Sequence, residues 1–222
     1  MNIKILLSIT VYLYLLCTNL SAGEYLSIKK EWEGVQREYL IYLPSSYKIN
    51  KEKSYPIIFG LHGYMGTASG FQKETTKGMN LLAEKENIII VYPQGSHFYS
   101  LPQDKSSFVS SWNDLVSNKA QELGKPRKCS LDRVNYPKPP ECSNFTFCAW
   151  TSCYDDLGFL KSVIEEVSSG YRVDKKRRYM IGMSNGGAMT YRFSCTYPEM
   201  LSASLAVSSS IAVSNSCENQ AD

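Results

Sequence analysis

Histidine is almost missing from this 222-residue sequence: His62 and His97 are the only two. Cys-x-x-Cys pairs are absent as well, and neither histidine stands near the cysteines gathered between Cys129 and Cys153. That argues against a metal site of the usual Cys/His spacing, and none is expected. An excess of one charge is also lacking. The 24 basic and 21 acidic residues leave a formal charge of +3, little field to recruit nucleic acid or acidic lipid. Two short basic clusters, Lys125-Pro126-Arg127-Lys128 and Lys175-Lys176-Arg177-Arg178, read as solvated turns rather than as a nuclear address. There is no internal repeat and no low-complexity segment. After Cys17 no apolar stretch is long enough to cross a bilayer.

What is present begins with an export signal. Met1-Asn2-Ile3-Lys4 is a short positive start, Ile5 to Cys17 is an apolar run broken by Ser8 and Thr10, and Ser21-Ala22 is a small-residue exit. This layout predicts a secretory signal peptide over residues 1–22, with Leu20 a poor residue for the cleavage site. The remainder, 23–222, is long enough for one domain with a sizeable core. A secreted, extracellular protein is expected, with no stable membrane association once the signal is removed. Of the seven cysteines, Cys17 would be lost with the signal. Cys129, Cys142, Cys148, Cys153, Cys195 and Cys217 remain, an even number suited to bridges in an oxidising compartment. Their spacing leaves the connectivity open. Asn144-Phe145-Thr146 is a glycosylation sequon with Asn144 as acceptor.

Along the chain, Val35 to Leu43 reads as an antiparallel outer strand. Tyr55 to Leu61 and Ile88 to Tyr92 are short apolar runs that suit strands buried on both faces of a parallel sheet. Between them, Lys77 to Glu86 is read as a helix with Met79, Leu82 and Ala83 as its apolar stripe. Ser96 to Ser152 has little periodicity and reads as a long loop beside cysteines that could staple it. Asp155 to Ser168 is a helix with Leu157, Leu160, Ile164 and Val167 on one face, an acidic first turn and Gly170 at its end. Arg178 to Met183 is a third buried strand, Gly187 to Tyr197 a helix, and Ser202 to Ser208 a fourth strand. Strands alternating with helices predict an α/β protein with a mostly parallel, doubly wound sheet and helices on both faces.

Gly182-Met183-Ser184-Asn185-Gly186 lies where a strand passes into a helix. A serine hydroxyl is a weak nucleophile that needs an exposed position and a neighbouring base. A sharp strand-to-helix turn supplies the exposure, and its flanking glycines let the backbone bend without a Cβ clash. The helix behind it brings N-terminal amides toward a developing oxyanion. Ser184 is therefore the expected nucleophile. Leu61-His62-Gly63-Tyr64 is the second piece, a loop after a buried strand whose backbone can donate to the same oxyanion. Tyr64 and Asn185 are the expected donors, through their N–H groups. His62 and His97 both precede the serine, whereas the strand-turn-helix nucleophile pattern that this segment resembles has its acid and then its histidine after the serine. Asp155 and Asp156 also precede it and read as helix-capping residues.

Several blocks in order carry a wider resemblance. They are Leu61-His62-Gly63, Val91-Tyr92-Pro93-Gln94-Gly95, Ser111-Trp112-Asn113, Tyr154-Asp155-Asp156-Leu157-Gly158-Phe159, Val173-Asp174, the elbow with Gly187-Ala188-Met189, and Cys195-Thr196-Tyr197-Pro198-Glu199. With these, the chain from about Val35 to Ile211 resembles the secreted polyhydroxybutyrate depolymerase and feruloyl esterase family of α/β-hydrolases. The resemblance implies a serine carboxylic ester hydrolase without metal or organic cofactor. It implies a substrate of ester-bearing extracellular polymer: feruloyl or acetyl esters of plant polysaccharide, or hydroxyalkanoate polyester. The enzyme would work through an acyl-enzyme on Ser184.

One departure stands out. The family supplies the triad acid and histidine after its last strands, and this sequence has no histidine after His97. The expectation is a C-terminally incomplete esterase domain, inactive as these 222 residues alone because the base is missing. The alternative from another class is a catalytically inactive secreted homologue that binds polysaccharide or polyester. A bridge between Cys153 and Cys195 is expected, since the first precedes the Asp155 helix and the second ends the helix after the elbow.

Overall fold

A computed structural model describes residues 23–101, 104–114 and 154–209. The signal segment 1–22, Asn144, Cys153 and the other cysteines except Cys195 lie outside the described residues. Among those described, a six-stranded sheet has the order β1-β2-β4-β3-β7-β8. Its strands are β1 (Glu24–Trp32), β2 (Val35–Leu43), β3 (Tyr55–Leu61), β4 (Ile89–Pro93), β7 (Val173–Met183) and β8 (Ala203–Val207). The pairs β1/β2 and β2/β4 are antiparallel; β3/β4, β3/β7 and β7/β8 are parallel. The strand read from sequence as outermost, β2, therefore has a neighbour on each side. β1 is joined to it by a two-residue turn in which Glu33 and Gly34 both take positive φ (51° and 74°). That backbone twist matches the twist of the flanking strands.

Alternation along the central strands divides the core. Ile57, Phe59, Leu61, Ile89 and Val91 face one side; Ile90 and Tyr92 face the other. On the first side lie α4 (Asp156–Gly170), with Phe159, Leu160, Val163, Ile164 and Val167, and α5 (Asn185–Thr196), with Met189 and Phe193. On the second lie α2 (Ala68–Glu74) and α3 (Gly78–Glu86), through Ala68, Phe71 and Ala83. A single turn, α1 (Ser46–Ile49), connects β2 to β3. The sheet is thus covered on both faces, which is why β3 and β4 can be apolar throughout. Each large side chain buried this way contributes about 1.5–3 kcal/mol relative to exposure.

Three expectations need correction. The stretch from Ser96 is not a loop at its start: β5 (Ser96–Leu101) and β6 (Asp104–Ser111) form an antiparallel hairpin. Its serine-rich strands have no apolar alternation, the signal on which strand recognition depends. On α3, Leu82 is exposed and Asn80 is buried beside Ala83, because Asn80 Oδ1 accepts a 2.6 Å hydrogen bond from the Tyr92 hydroxyl. β7 begins at Val173 rather than Arg178, with a register shift opposite Tyr55–Ile57. That irregular half carries the basic cluster, whose charges hide the strand in sequence.

Candidate active site

The end of β7 sets the site. Leu61 of β3 stands in register with Gly182, so the loop after β3 and the turn after β7 emerge side by side. Glycine is required on both flanks of the turn. A Cβ on Gly182 would sit 2.1 Å from the Gly186 carbonyl oxygen, and one on Gly186 only 2.3 Å from the His62 carbonyl oxygen. Ser184 itself has φ 54° and ψ −121°, a conformation that L residues rarely adopt and that functional sites tend to hold. Its side of the turn is exposed, while its N–H donates to the Val207 carbonyl at 2.8 Å.

The Gly63 loop lies against this turn. A Cβ on Gly63 would be 3.5 Å from Ser184 Cβ and 3.3 Å from the Met183 carbonyl oxygen. Tyr64 follows directly, half-buried, with its phenol pushed above the ordinary value by burial. Asn185 is the first residue of α5, so its N–H is among those that no intrahelical carbonyl reaches. The structure therefore brings Ser184, Asn185 and the Tyr64 loop together.

His62 is fully buried and committed. Its Nδ1–H donates to the Gly63 carbonyl at 2.7 Å, and its Nε2 accepts from the Gly95 N–H at 2.9 Å. This pattern requires one tautomer of a neutral ring. Burial lowers its pKa from 6.5 to about 4, against the opposing effect of the Gly63 hydrogen bond. The ring is a strut for the Gly63 loop, with no nitrogen turned to the serine. His97 lies elsewhere, in a cleft of about 380 Å³ walled by Lys29, Gln36, Arg37, Glu38 and Gln94.

The acidic pair before α4 divides its roles. Asp155 is the N-cap as read from sequence, accepting from the Gly158 N–H at 2.9 Å. Asp156 does more than cap. It is fully buried, 2.6 Å from Arg37, itself 4% exposed, and it accepts the Asn113 N–H at 2.7 Å. Arg37 also donates to the Gln94 carbonyl and stacks over Phe159. Reading the sequence alone misses Arg37, Asp114 and the brace that Trp112 makes. Arg37 is hidden because its partner is 119 positions away.

Trp112 is completely buried, its ring tilted 38° against that of His62 with centroids 5.1 Å apart. Its indole N–H donates to the His62 carbonyl at 2.9 Å. Cys195, on α5, is disulfide-bonded, and its partner lies outside the described residues. Among the described residues, no group of three or more His, Cys, Asp or Glu side chains is placed to hold a metal. None of the helices described is long and apolar enough to cross a membrane.

A mostly parallel sheet covered on both faces, with a strained serine between strand and helix, defines the α/β-hydrolase fold. Solved structures agree. A ferulic acid esterase superposes with a TM-score of 0.54 at 20% identity, over 85% of this chain and 59% of its own. An acetyl xylan esterase from Aspergillus awamori gives 0.54 at 16% identity, over 87% and 57%. The S-formylglutathione hydrolase of Staphylococcus aureus gives 0.54 at 13%, over 86% and 59%. In sequence, a bifunctional acetylxylan esterase/xylanase of Neocallimastix patriciarum is 24% identical over 162 residues, 73% of this chain and 16% of that protein. The chain thus spans less than two thirds of the length of each of these proteins. No protein-family model matches it.

Proposed function

We propose that this chain is the nucleophile-bearing part of a secreted serine carboxylic ester hydrolase acting on feruloyl or acetyl esters of plant polysaccharide. Ser184 Oγ attacks the ester carbonyl, the Tyr64 and Asn185 N–H groups hold the tetrahedral oxyanion, and water releases the acyl-enzyme. The observation that carries this is Ser184 itself, exposed at φ 54° between the Gly63 loop and the first turn of α5. The resemblance to esterases of plant polysaccharide favours these esters over a hydroxyalkanoate polyester. With His62 locked into the loop and His97 in a separate cleft, this reading takes the triad histidine and its acid from outside the described residues. The same reading takes residues 1–22 as a cleaved signal, Asn144 as glycosylated and Cys153 as the partner of Cys195, with no cofactor.

The test is labelling of the full-length protein with a fluorophosphonate, alongside hydrolysis of methyl ferulate, acetylated xylan and polyhydroxybutyrate. Labelling lost in Ser184→Ala, with release of ferulate or acetate, is the expected result. Saturable xylan binding without labelling or product, unchanged by Ser184→Ala, would instead make the protein a binding homologue and overturn the proposal.

A further inference from the structure

The segment Ser110 to Asp114 touches both halves of the candidate oxyanion site. Toward the Gly63 loop, the Ser110 carbonyl accepts the Met65 N–H at 2.8 Å, and the Ser110 hydroxyl donates to the Gly66 carbonyl. Trp112 adds its indole bond to the His62 carbonyl. Tyr64 is therefore held from both sides by Ser110 and Trp112. Toward the elbow, the link is the Asn185 side chain. Its Oδ1 accepts the Trp112 N–H at 2.8 Å, and its Nδ2 donates to the Trp112 carbonyl at 3.1 Å and to Asp114 Oδ2 at 2.6 Å. The amide orientation is dictated by these partners, because the reverse would set Nδ2 against an N–H and Oδ1 against a carboxyl oxygen. Asn185, Trp112 and Asp114 are all buried, so the grip is shielded from water.

Resting on the esterase reading, we infer that the Asn185 side chain is a positioning group that fixes the spacing between its own N–H and that of Tyr64. It does so through Trp112 and Asp114. The residue acts twice: its backbone donates to the oxyanion, and its side chain ties that backbone to the brace that holds the opposite donor. Donors displaced by a fraction of an ångström stabilise the transition state less while substrate binding changes little. The signature is therefore a fall in kcat without a matching rise in KM.

The test compares Asn185→Asp, Trp112→Phe and the double variant Asn185→Asp/Asp114→Asn in the full-length protein, with kcat, KM and Tm measured for each and Ser184→Ala as control. Asn185→Asp sets two carboxyl groups against each other and is expected to lower kcat roughly 10- to 100-fold with KM within about 3-fold. The double variant restores the contact with position 114 in the opposite sense: the new carboxylate accepts from the Trp112 N–H and from the new amide, while the Trp112 carbonyl loses its donor. It should therefore recover part of the loss, while Trp112→Phe, which removes the indole bond to His62 and part of the ring packed against it, lowers kcat in the same way. If the single variants lower Tm but keep wild-type kcat, the grip is purely structural and the inference fails while the esterase reading stands. If wild-type protein shows no Ser184-dependent hydrolysis, the esterase reading fails, and this inference with it.

Discussion

Replacing Arg37 by methionine keeps most of a buried aliphatic stem and removes a charge whose partner stays behind. The variant loses the 2.6 Å bond to Asp156, the 3.1 Å bond to the Gln94 carbonyl and the guanidinium face 4.0 Å above the Phe159 ring. Asp156, fully buried, keeps the Asn113 N–H at 2.7 Å and the Ser96 hydroxyl at 3.4 Å. Breaking a buried pair by removing one partner costs about 3–5 kcal/mol, because the remaining carboxylate stays buried without the guanidinium that bonded it. For a domain of this size each kcal/mol moves Tm by about 2–4 °C, so the expected drop is roughly 6–20 °C. Removing both charges with Arg37→Met/Asp156→Leu should be milder than either Arg37→Met or Asp156→Leu alone. It leaves the Asn113 N–H without its carboxylate acceptor, a loss of about 1–3 kcal/mol, but no buried charge. Thermal and urea unfolding at neutral pH, followed by circular dichroism, measure all three. A loss below about 1 kcal/mol for Arg37→Met, or a double variant as destabilised as the sum of the singles, would refute the reasoning.

Further consequences follow from the same packing. Between pH 6.5 and about 4 the unfolded chain takes up a proton on His62 that the folded chain refuses, so stability falls as pH drops through that window. The loss approaches about 3 kcal/mol, and His62→Gln should flatten the dependence; equal unfolding free energies from urea titrations at pH 7 and 4.5 would contradict it. Ser184→Gly should unfold at a higher temperature than Ser184→Ala, by the equivalent of about 1 kcal/mol, since glycine adopts φ 54° without strain. A calorimetric comparison decides this. Gly186→Ala should destabilise by about 2–3 kcal/mol despite alanine's better helix propensity, because its methyl meets the His62 and Leu61 carbonyl oxygens at 2.3 and 2.5 Å. The methyl pushes the Gly63 loop off the elbow, so phosphonate labelling should slow along with the loss of stability.

Most elements of the sheet were legible wherever one local signal dominated. Tyr55–Leu61 is apolar because both faces of β3 are covered, and the Leu160–Ile164–Val167 stripe lies against the core as its period requires. β1 was harder to see. It is only half-buried and pairs at the sheet's edge, so its alternation is diluted by Lys29, Lys30 and Glu31. The hairpin β5/β6 offers no apolar period. The elbow was legible because its requirements are local. Gly182 and the serine follow from backbone sterics within five residues, whereas Gly186 also answers to the Leu61 and His62 carbonyls across the sheet.

What holds that elbow is a different matter. The sequence by itself determined the turn, the serine at its tip and the paired loop after β3, since each depends on neighbours along the chain. Only the tertiary structure decided that His62 is a neutral strut and that Asp156 belongs to Arg37, 119 positions away. It alone decided that Asn185 grips Trp112 across 73 positions. Buried polar groups must find partners wherever the fold brings them, and no local pattern records which distant residue will satisfy them.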